Sequence, residues 1–219
     1  MVRRRAALNA HDLLEAVRSD AVLADIAVPG WVTERLARAP LVVVRRAPSR
    51  QGYLPVGVRG NTRSERFAAW LSPSDIKARI APEHLVRRRA WQFTQRSAHV
   101  LHFALLERVA QEMRAHGLAW GPVGSVGYEL ASGVAAVTAT SDLDLIVRAR
   151  AEFSRKTARA LAAKLTCLQI PVDVQLETPY GAVALSEYAS GSRVALRTTY
   201  GPRLVDNPWI VHAPAAKLT

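Results

Sequence analysis

The spacing of hydrophobic positions predicts short helices and strands in the first part of the chain. Apolar residues three and four positions apart favour helices, and short apolar runs rich in β-branched residues favour strands. The predicted elements are helices over residues 12–18 and 31–39, strands over 41–46 and 53–59, and a helix begun by Asn61 that carries Phe67 and Leu71. The two strands flank a polar turn, which predicts a hairpin.

The second part begins with a long helical pattern over residues 91–116, which Gly117 is suited to end. Strands and helices then alternate. The predictions are a strand leading to Gly124, a helical turn over 126–131, a strand over 142–147, helices over 152–168 and 183–188, and strands over 172–177 and 193–198. We therefore expect a smaller N-terminal α/β domain at residues 1–90 and a second domain at residues 91–219.

Three acidic residues stand out in the second part. Asp142 and Asp144 are two positions apart on one predicted strand, so their side chains point the same way. Two adjacent like charges repel, and a shared divalent cation is the simplest way to keep both ionised. Asp173 lies early in the next predicted strand, after a helix that suits a crossover between neighbouring strands. Three carboxylates that converge suit Mg²⁺ or Mn²⁺, and the absence of a Cys or His cluster argues against zinc.

A glycine-rich turn precedes these acids. Gly124, Ser125 and Gly127 are small enough for backbone N–H groups and a hydroxyl to reach phosphate oxygens. Each piece alone has a plainer interpretation, since a Gly-Ser pair is commonly a turn and an Asp-x-Asp can be a solvated surface pair. The order of turn, paired acids, crossover helix and third acid favours metal-assisted phosphoryl or nucleotidyl transfer.

Composition and charge narrow the classes of partner. The chain has 219 residues and a net charge of +12, which favours an anionic partner. Arginine-rich usage also follows from genome composition, so charge alone does not establish nucleic-acid binding. No apolar run is long enough to span a bilayer, and the basic start has no apolar stretch behind it. Cys167 is the single cysteine, and a reducing cytoplasm is the expected compartment.

The order of motifs over about residues 118–180 resembles the nucleotidyltransferase superfamily of the polymerase-beta type. A closer resemblance, to the phosphoribosyl-dephospho-CoA transferases of malonate decarboxylase, spans nearly the whole chain. The segments that carry it are residues 11–14, 56–60, 120–133, 141–145, 173–178, 181–188 and 206–209. The three acids match the family pattern, whereas Tyr128 and Ser132 stand where Phe and Thr are expected.

This resemblance implies an α+β fold, with a polymerase-beta-type core of a mixed sheet and flanking helices behind a smaller α/β domain that binds substrate or carrier. It implies transfer of phosphoribosyl-dephospho-CoA from 2'-(5''-triphosphoribosyl)-3'-dephospho-CoA to a serine of the apo acyl-carrier subunit of malonate decarboxylase, with release of diphosphate. The implied cofactor is Mg²⁺ or Mn²⁺. The implied partner is a small acidic carrier protein, and we expect neither a nucleic-acid nor a membrane partner.

The resemblance leads to a hypothesis about the role of each candidate site residue. Asp142, Asp144 and Asp173 are the expected catalytic and metal-binding residues, with Asp173 either completing a second metal site or deprotonating the incoming serine. The expected substrate-binding residues are Gly124, Ser125, Gly127, Glu177 and Arg59. Glu177 shares the face of Asp173 on a regular strand, and Arg59 is suited to clamp phosphates or is a solvated surface residue.

Three other functions fit parts of the pattern. One is a nucleotidyltransferase that uses an ordinary nucleoside triphosphate on a small molecule, a protein or RNA. Another is a non-catalytic basic domain that binds nucleic acid, which predicts clustered basic and aromatic residues and needs no acids. A catalytically dead scaffold is disfavoured because all three carboxylates are present.

Overall fold

A computed structural model describes residues 7–60, 62 and 64–210 of the chain. Two six-stranded sheets, one with a single helix packed on it and the other with several, form an α+β architecture, as expected for the fold class. The predicted N-cap Asn61 lies outside the described residues. No helix of the described part is long and apolar enough to cross a membrane.

The first sheet is built from the first half of the chain. Its strands are β1 (Leu13–Ala16), β2 (Val22–Leu23), β3 (Leu41–Val44), β4 (Leu54–Arg59), β5 (Arg66–Leu71) and β6 (Ile76–Ile80). They are ordered β2-β5-β4-β3-β1-β6, and the neighbouring strands pair antiparallel. Helix α1 (Gly30–Arg38) packs on this sheet, and its Val32 and Leu36 are buried with strand residues such as Val56. The predicted hairpin over 41–46 and 53–59 is confirmed as β3 and β4.

Two predicted helices are strands in the structure. The apolar residues expected on a helix over 12–18 lie on β1, which pairs with strands on both sides and buries both Leu13 and Leu14. The helix expected to carry Phe67 and Leu71 is β5. Two residues four positions apart lie on one face of a helix and equally on one face of a strand, so this spacing fits both periods. Ala69, midway between them, is also buried, as the period of two requires.

Short helical segments lie before and after β6, the last strand of the first sheet. A 3₁₀ turn at Pro73–Asp75 precedes β6, and α2 (Pro82–Arg87) follows it. The long helix predicted over 91–116 is shorter: a 3₁₀ turn at Ala90–Gln92 comes first, and α3 spans Leu101–Ala115. Residues 92–99 are mostly polar, and Phe93 among them is 80% exposed, so this stretch has no apolar face to bury.

The second sheet is mixed. Its strands are β7 (Trp120–Pro122), β8 (Leu143–Arg148), β9 (Val172–Thr178), β10 (Gly181–Ala184), β11 (Val194–Thr198) and β12 (Gly201–Val205). They are ordered β12-β11-β10-β9-β8-β7, and β8 and β9 are parallel, whereas the other neighbours are antiparallel. The helices of this half are α3, α4 (Gly124–Ser132), α5 (Arg155–Thr166), which joins β8 to β9, and α6 (Leu185–Ser190).

Strand β12 was not predicted. It forms the edge of the sheet, and its residues, including Pro202, are mostly exposed. Because neither face is buried, its sequence does not show the alternation of apolar and polar residues by which strands are predicted. The helix predicted over 183–188 begins at Leu185, because Val183 and Ala184 still belong to β10.

Polar side chains join the two halves. The Arg148 side chain on β8 donates to Glu83 of α2 at 2.5 Å and lies 3.5 Å from Asp12 beside β1. The α2 residue Leu85 is buried in the core of the second half. The domain boundary near residue 90 stays a prediction, and these contacts hold the sheets on either side of a cleft.

Candidate active site

The predicted carboxylates lie on neighbouring parallel strands. Asp144 on β8 and Asp173 on β9 are direct partners in the register of the pair, and Asp142 immediately precedes β8. All three line one cleft of about 1200 Å³ between the two sheets, as do Gly124 and Ser125. The tertiary structure therefore brings together the acids and the turn that are separated in sequence. Their chemical roles stay predictions.

Burial sets the electrostatics of Asp144. Removal of its carboxylate from water raises its pKa above the ordinary value, and the negative charges of Asp173 and Asp142 raise it further. Arg59 and Arg66 act in the opposite direction and limit the shift. The charged form of the Asp144 carboxylate is therefore destabilised, and an added cation would stabilise it.

The glycine-rich turn begins α4 directly beside Asp144. Gly124 has a φ of +60°, and a Cβ there would overlap Oδ2 of Asp144, so both the backbone conformation and the space require glycine. The Val123 N–H donates to the Asp144 carbonyl at 2.9 Å, which fixes the turn to β8. The first N–H groups of a helix have no partner within it and attract anions. This end of α4 has no side-chain cap, and Gly124 and Ser125 line the cleft.

Gly127 serves packing as well as the cleft. It lines the cleft but is buried, and a Cβ there would lie 2.5 Å from the carbonyl oxygen of Pro122. Its lack of a side chain allows α4 to lie against the end of β7.

The other two predicted substrate-binding residues have different surroundings. Arg59 at the end of β4 lines the cleft and acts on Asp144, so the first sheet contributes positive charge to the site. Glu177 accepts hydrogen bonds from both terminal nitrogens of Arg46, at 2.7 and 2.5 Å. Among the described residues it is not one of those that line the cleft. Its carboxylate is engaged at the junction of the two sheets.

The acids suit a divalent cation by their chemistry. Within residues 7–60, 62 and 64–210, no group of three or more His, Cys, Asp or Glu side chains is arranged to hold a metal ion. The three carboxylates thus share a cleft without closing around one point. Two carboxylates with additional oxygens from phosphate and water form a normal magnesium site, so Asp142 and Asp144 fit Mg²⁺ or Mn²⁺.

The sequence did not predict three basic residues of the cleft, Arg35, Arg45 and Arg46. Of the described residues that line it, six are arginines and three are aspartates: Arg35, Arg45, Arg46, Arg59, Arg66 and Arg197 with Asp142, Asp144 and Asp173. The cleft therefore favours a strongly anionic ligand. Arg35 could have been noticed in the sequence, because it is a charged residue between Val32 and Leu36 on the apolar face of a predicted helix.

His11 also lines the cleft and was missed. It has a φ of +70°, which is uncommon for a residue other than glycine, and its N–H donates to the Val44 carbonyl at 3.0 Å. Burial lowers its pKa to about 4, so its ring is neutral at pH 7. In the sequence, His11 is marked only by its place in the segment 11–14 that carries the family resemblance.

Comparisons with known proteins cover both halves of the chain. The family model of the phosphoribosyl-dephospho-CoA transferase MdcG N-terminal domain matches residues 9–82, and that of the MdcG C-terminal domain matches residues 88–208. A phosphoribosyl-dephospho-CoA transferase of Azotobacter vinelandii is 44% identical over 91% of this chain and 93% of its own length. Proteins of the same name from Pseudomonas putida and Klebsiella pneumoniae are 43% and 38% identical, over 92% and 91% of this chain and 95% of each relative. No solved structure matches, and the polymerase-beta-type core stays a prediction.

Proposed function

The chain belongs to the phosphoribosyl-dephospho-CoA transferase family, and we propose that it attaches a phosphoribosyl-dephospho-CoA group to an acyl-carrier subunit of malonate decarboxylase. The donor is 2'-(5''-triphosphoribosyl)-3'-dephospho-CoA. The acceptor is a serine hydroxyl of the apo-carrier. The observation that carries this proposal is the pairing of Asp144 with Asp173 across parallel strands, in an arginine-lined cleft that begins at the Gly124 turn.

The reaction is a displacement at phosphorus. The serine oxygen attacks the phosphorus nearest the ribose, a new P–O bond forms, and the bond to the outer two phosphates breaks. Diphosphate leaves, the serine proton passes to a base, and a phosphodiester links carrier and prosthetic group. Such transfers depend on positioning and on stabilising negative charge, and this chain offers groups for both.

Each group in the cleft has a task that suits its surroundings. The Ser125 hydroxyl and the first N–H groups of α4 bind phosphate oxygens. Arg59 neutralises negative charge from the side of the first sheet. Asp173 is largely exposed and lies opposite Asp144, so it is accessible to accept the proton of an incoming serine.

Asp142 and Asp144 would hold Mg²⁺ or Mn²⁺. When bound, such an ion neutralises triphosphate charge and orients the phosphates for in-line displacement. The raised pKa of Asp144 supports this assignment, because burial and, after it, the charges of Asp173 and Asp142 disfavour its charged form until a cation compensates it.

The size and charge of the cleft support a large anionic donor. Its volume of about 1200 Å³ exceeds the roughly 300–1,000 Å³ of ordinary small-molecule pockets. The net charge of +12 also favours encounter with a small acidic carrier, and this steering weakens as salt screens it. A nucleotidyltransferase acting with an ordinary nucleoside triphosphate would not need a cleft of this size.

Mass spectrometry of the carrier tests the proposal. We would incubate apo-carrier with the protein, Mg²⁺ and the triphosphoribosyl donor, and expect the mass gain of one phosphoribosyl-dephospho-CoA group. Parallel reactions replace the donor with ATP, or the carrier with a variant whose acceptor serine is alanine. Modification of the carrier by ATP instead of the donor, or no modification at all, would refute the proposed reaction.

A further inference from the structure

Arg35 on α1 is a buried arginine without a charged partner. It is 7% exposed and lies between the buried residues Val32 and Leu36. Its Nε has no hydrogen-bond partner in the structure. Within the part of the chain that the structure describes, no acidic side chain forms an ion pair with it. An arginine guanidinium carries a positive charge in proteins and offers only hydrogen-bond donors.

Other nearly buried charges of this protein are compensated. Asp12 lies 2.8 Å from Arg79 and 3.5 Å from Arg148. Glu129 accepts two hydrogen bonds from Arg96, each at 2.9 Å. Burying a charge without a counter-ion is unfavourable. The surroundings of Arg35 therefore lack a negative group that would stabilise its charge.

The position of Arg35 indicates which group is missing. It lines the cleft, and its guanidinium carbon lies 4.0 Å from the centre of the Tyr128 ring. Tyr128 is on α4, one helical turn beyond the phosphate-binding turn at Gly124 and Ser125. The ring face attracts the cation and fixes its orientation, but supplies no counter-charge.

We propose that Arg35 binds the triphosphate of the substrate, so that α1 of the N-terminal half completes a phosphate site whose turn belongs to the C-terminal half. The proposal rests on the proposed function for the identity of the ligand. A planar guanidinium suits two oxygens of a phosphate group, and a helix residue held by packing presents it with little loss of conformational freedom.

Binding of inorganic triphosphate tests this assignment without turnover or carrier. Titration calorimetry in the presence of Mg²⁺ compares wild type with R35M and with R38M. Arg38 is on the same helix but exposed, so R38M removes an equal charge away from the cleft. We expect R35M to bind triphosphate about 10- to 100-fold more weakly, as for loss of a charge-assisted hydrogen bond, and R38M to bind within about twofold of wild type.

Thermal unfolding without ligand separates binding from packing. Because R35M removes an uncompensated buried charge, its melting temperature should equal or exceed that of wild type. A lower melting temperature with unchanged triphosphate affinity would mean that Arg35 only packs on Tyr128. Should R35M fail to fold, R35K would be measured instead. Lysine keeps the positive charge but lacks the planar guanidinium, so we expect the affinity for triphosphate to fall by about threefold or more.

Dephospho-CoA serves as the second ligand, because it carries a diphosphate but no triphosphate. R35M should weaken its binding by less than about twofold. An equal loss for both ligands would overturn the assignment to the triphosphate. If the carrier is never modified while R35M still loses triphosphate binding, the proposed reaction fails and the anion site remains.

Discussion

Arg46 and Glu177 form a two-pronged ion pair that joins the two sheets, with N–O distances of 2.7 and 2.5 Å between residues 131 positions apart. Their side chains are only 18% and 16% exposed. Arg148 extends the contact, since its Nη1 lies 4.0 Å from Glu177. The pair lies at the junction from which the cleft opens, so it holds the two walls of the site at a set separation.

Breaking this pair should destabilise the protein. We expect E177Q to lower the free energy of unfolding by about 1–3 kcal/mol, because Arg46 is left partly buried with a neutral partner. A double-mutant cycle of E177Q with R46M, followed by urea unfolding, should give a coupling energy of about 0.5–3 kcal/mol. Full stability of E177Q, together with weaker donor binding, would instead support the assignment of Glu177 to substrate binding that the sequence suggested.

Asp144→Asn should raise the stability of the protein without ligand and lower its transfer activity. The pKa of Asp144 is raised in the folded protein, so its neutral form is favoured and its contribution to stability is lost as pH rises through that pKa. At pH 7 without ligand, D144N should therefore melt at a higher temperature than wild type. Transfer to the carrier should fall by about 10²-fold or more, because charge stabilisation at the phosphates is lost. D20N, at an exposed site beside Arg18, is the control and should change neither quantity appreciably.

Gly124→Ala should distort the glycine-rich turn beside Asp144. Alanine there must adopt a φ of +60° and its Cβ would meet Asp144, so we expect a loss of about 1–3 kcal/mol in stability and a large loss of transfer activity. Gly133→Ala is a matched control at the other end of α4. Gly133 has a φ of +73°, and a Cβ there would have no heavy atom within 4 Å, so it shares the backbone strain without the overlap. Equal activity losses in the two variants would assign the effect to strain alone.

His11 should make stability depend on pH. Burial lowers its pKa from 6.5 to about 4, Glu177 opposes the shift, and Arg46, Arg148 and Arg197 add to it. Between these two values the unfolded chain binds a proton that the folded protein does not, so stability falls as pH falls through this window. For this group the loss between pH 7 and pH 5 is about 2 kcal/mol.

His11→Asn removes this titration and suits the backbone, because Asn tolerates the left-handed conformation. Urea unfolding of both proteins at pH 7 and pH 5 provides the measurement, and the difference in slope isolates the histidine from other groups. The variant should lose less stability than wild type at pH 5. Identical pH dependence of the two proteins would show that His11 does not titrate as its surroundings require.

Much of the second half could be predicted because its signals are local. Strands β8 and β9 and helix α5 follow the apolar period of their own residues, and the acids at 142, 144 and 173 were found from their positions on these strands. The helix between the two strands, which a crossover requires, was also visible. The parallel pairing then brought Asp144 and Asp173 side by side, in agreement with the order of the motifs.

The first half was harder because its apolar spacing fits two periods. Phe67 and Leu71 are four residues apart, which suits a helix and a strand equally, and only pairing with β4 and β2 selects the strand. Likewise, Leu13 and Leu14 are both buried although they point to opposite faces of β1, which lies between β3 and β6 inside the sheet.

The α+β class, the family, the acidic residues and the glycine-rich turn could all be recognised from the amino-acid sequence, since each depends on residues close together in the chain or on matched motifs. The folded structure alone reveals that Glu177 pairs with Arg46, that a partly buried His11 lines the cleft and that Arg35 lacks a counter-ion. Burial and charge compensation depend on which distant segments meet, and no local pattern specifies those partners.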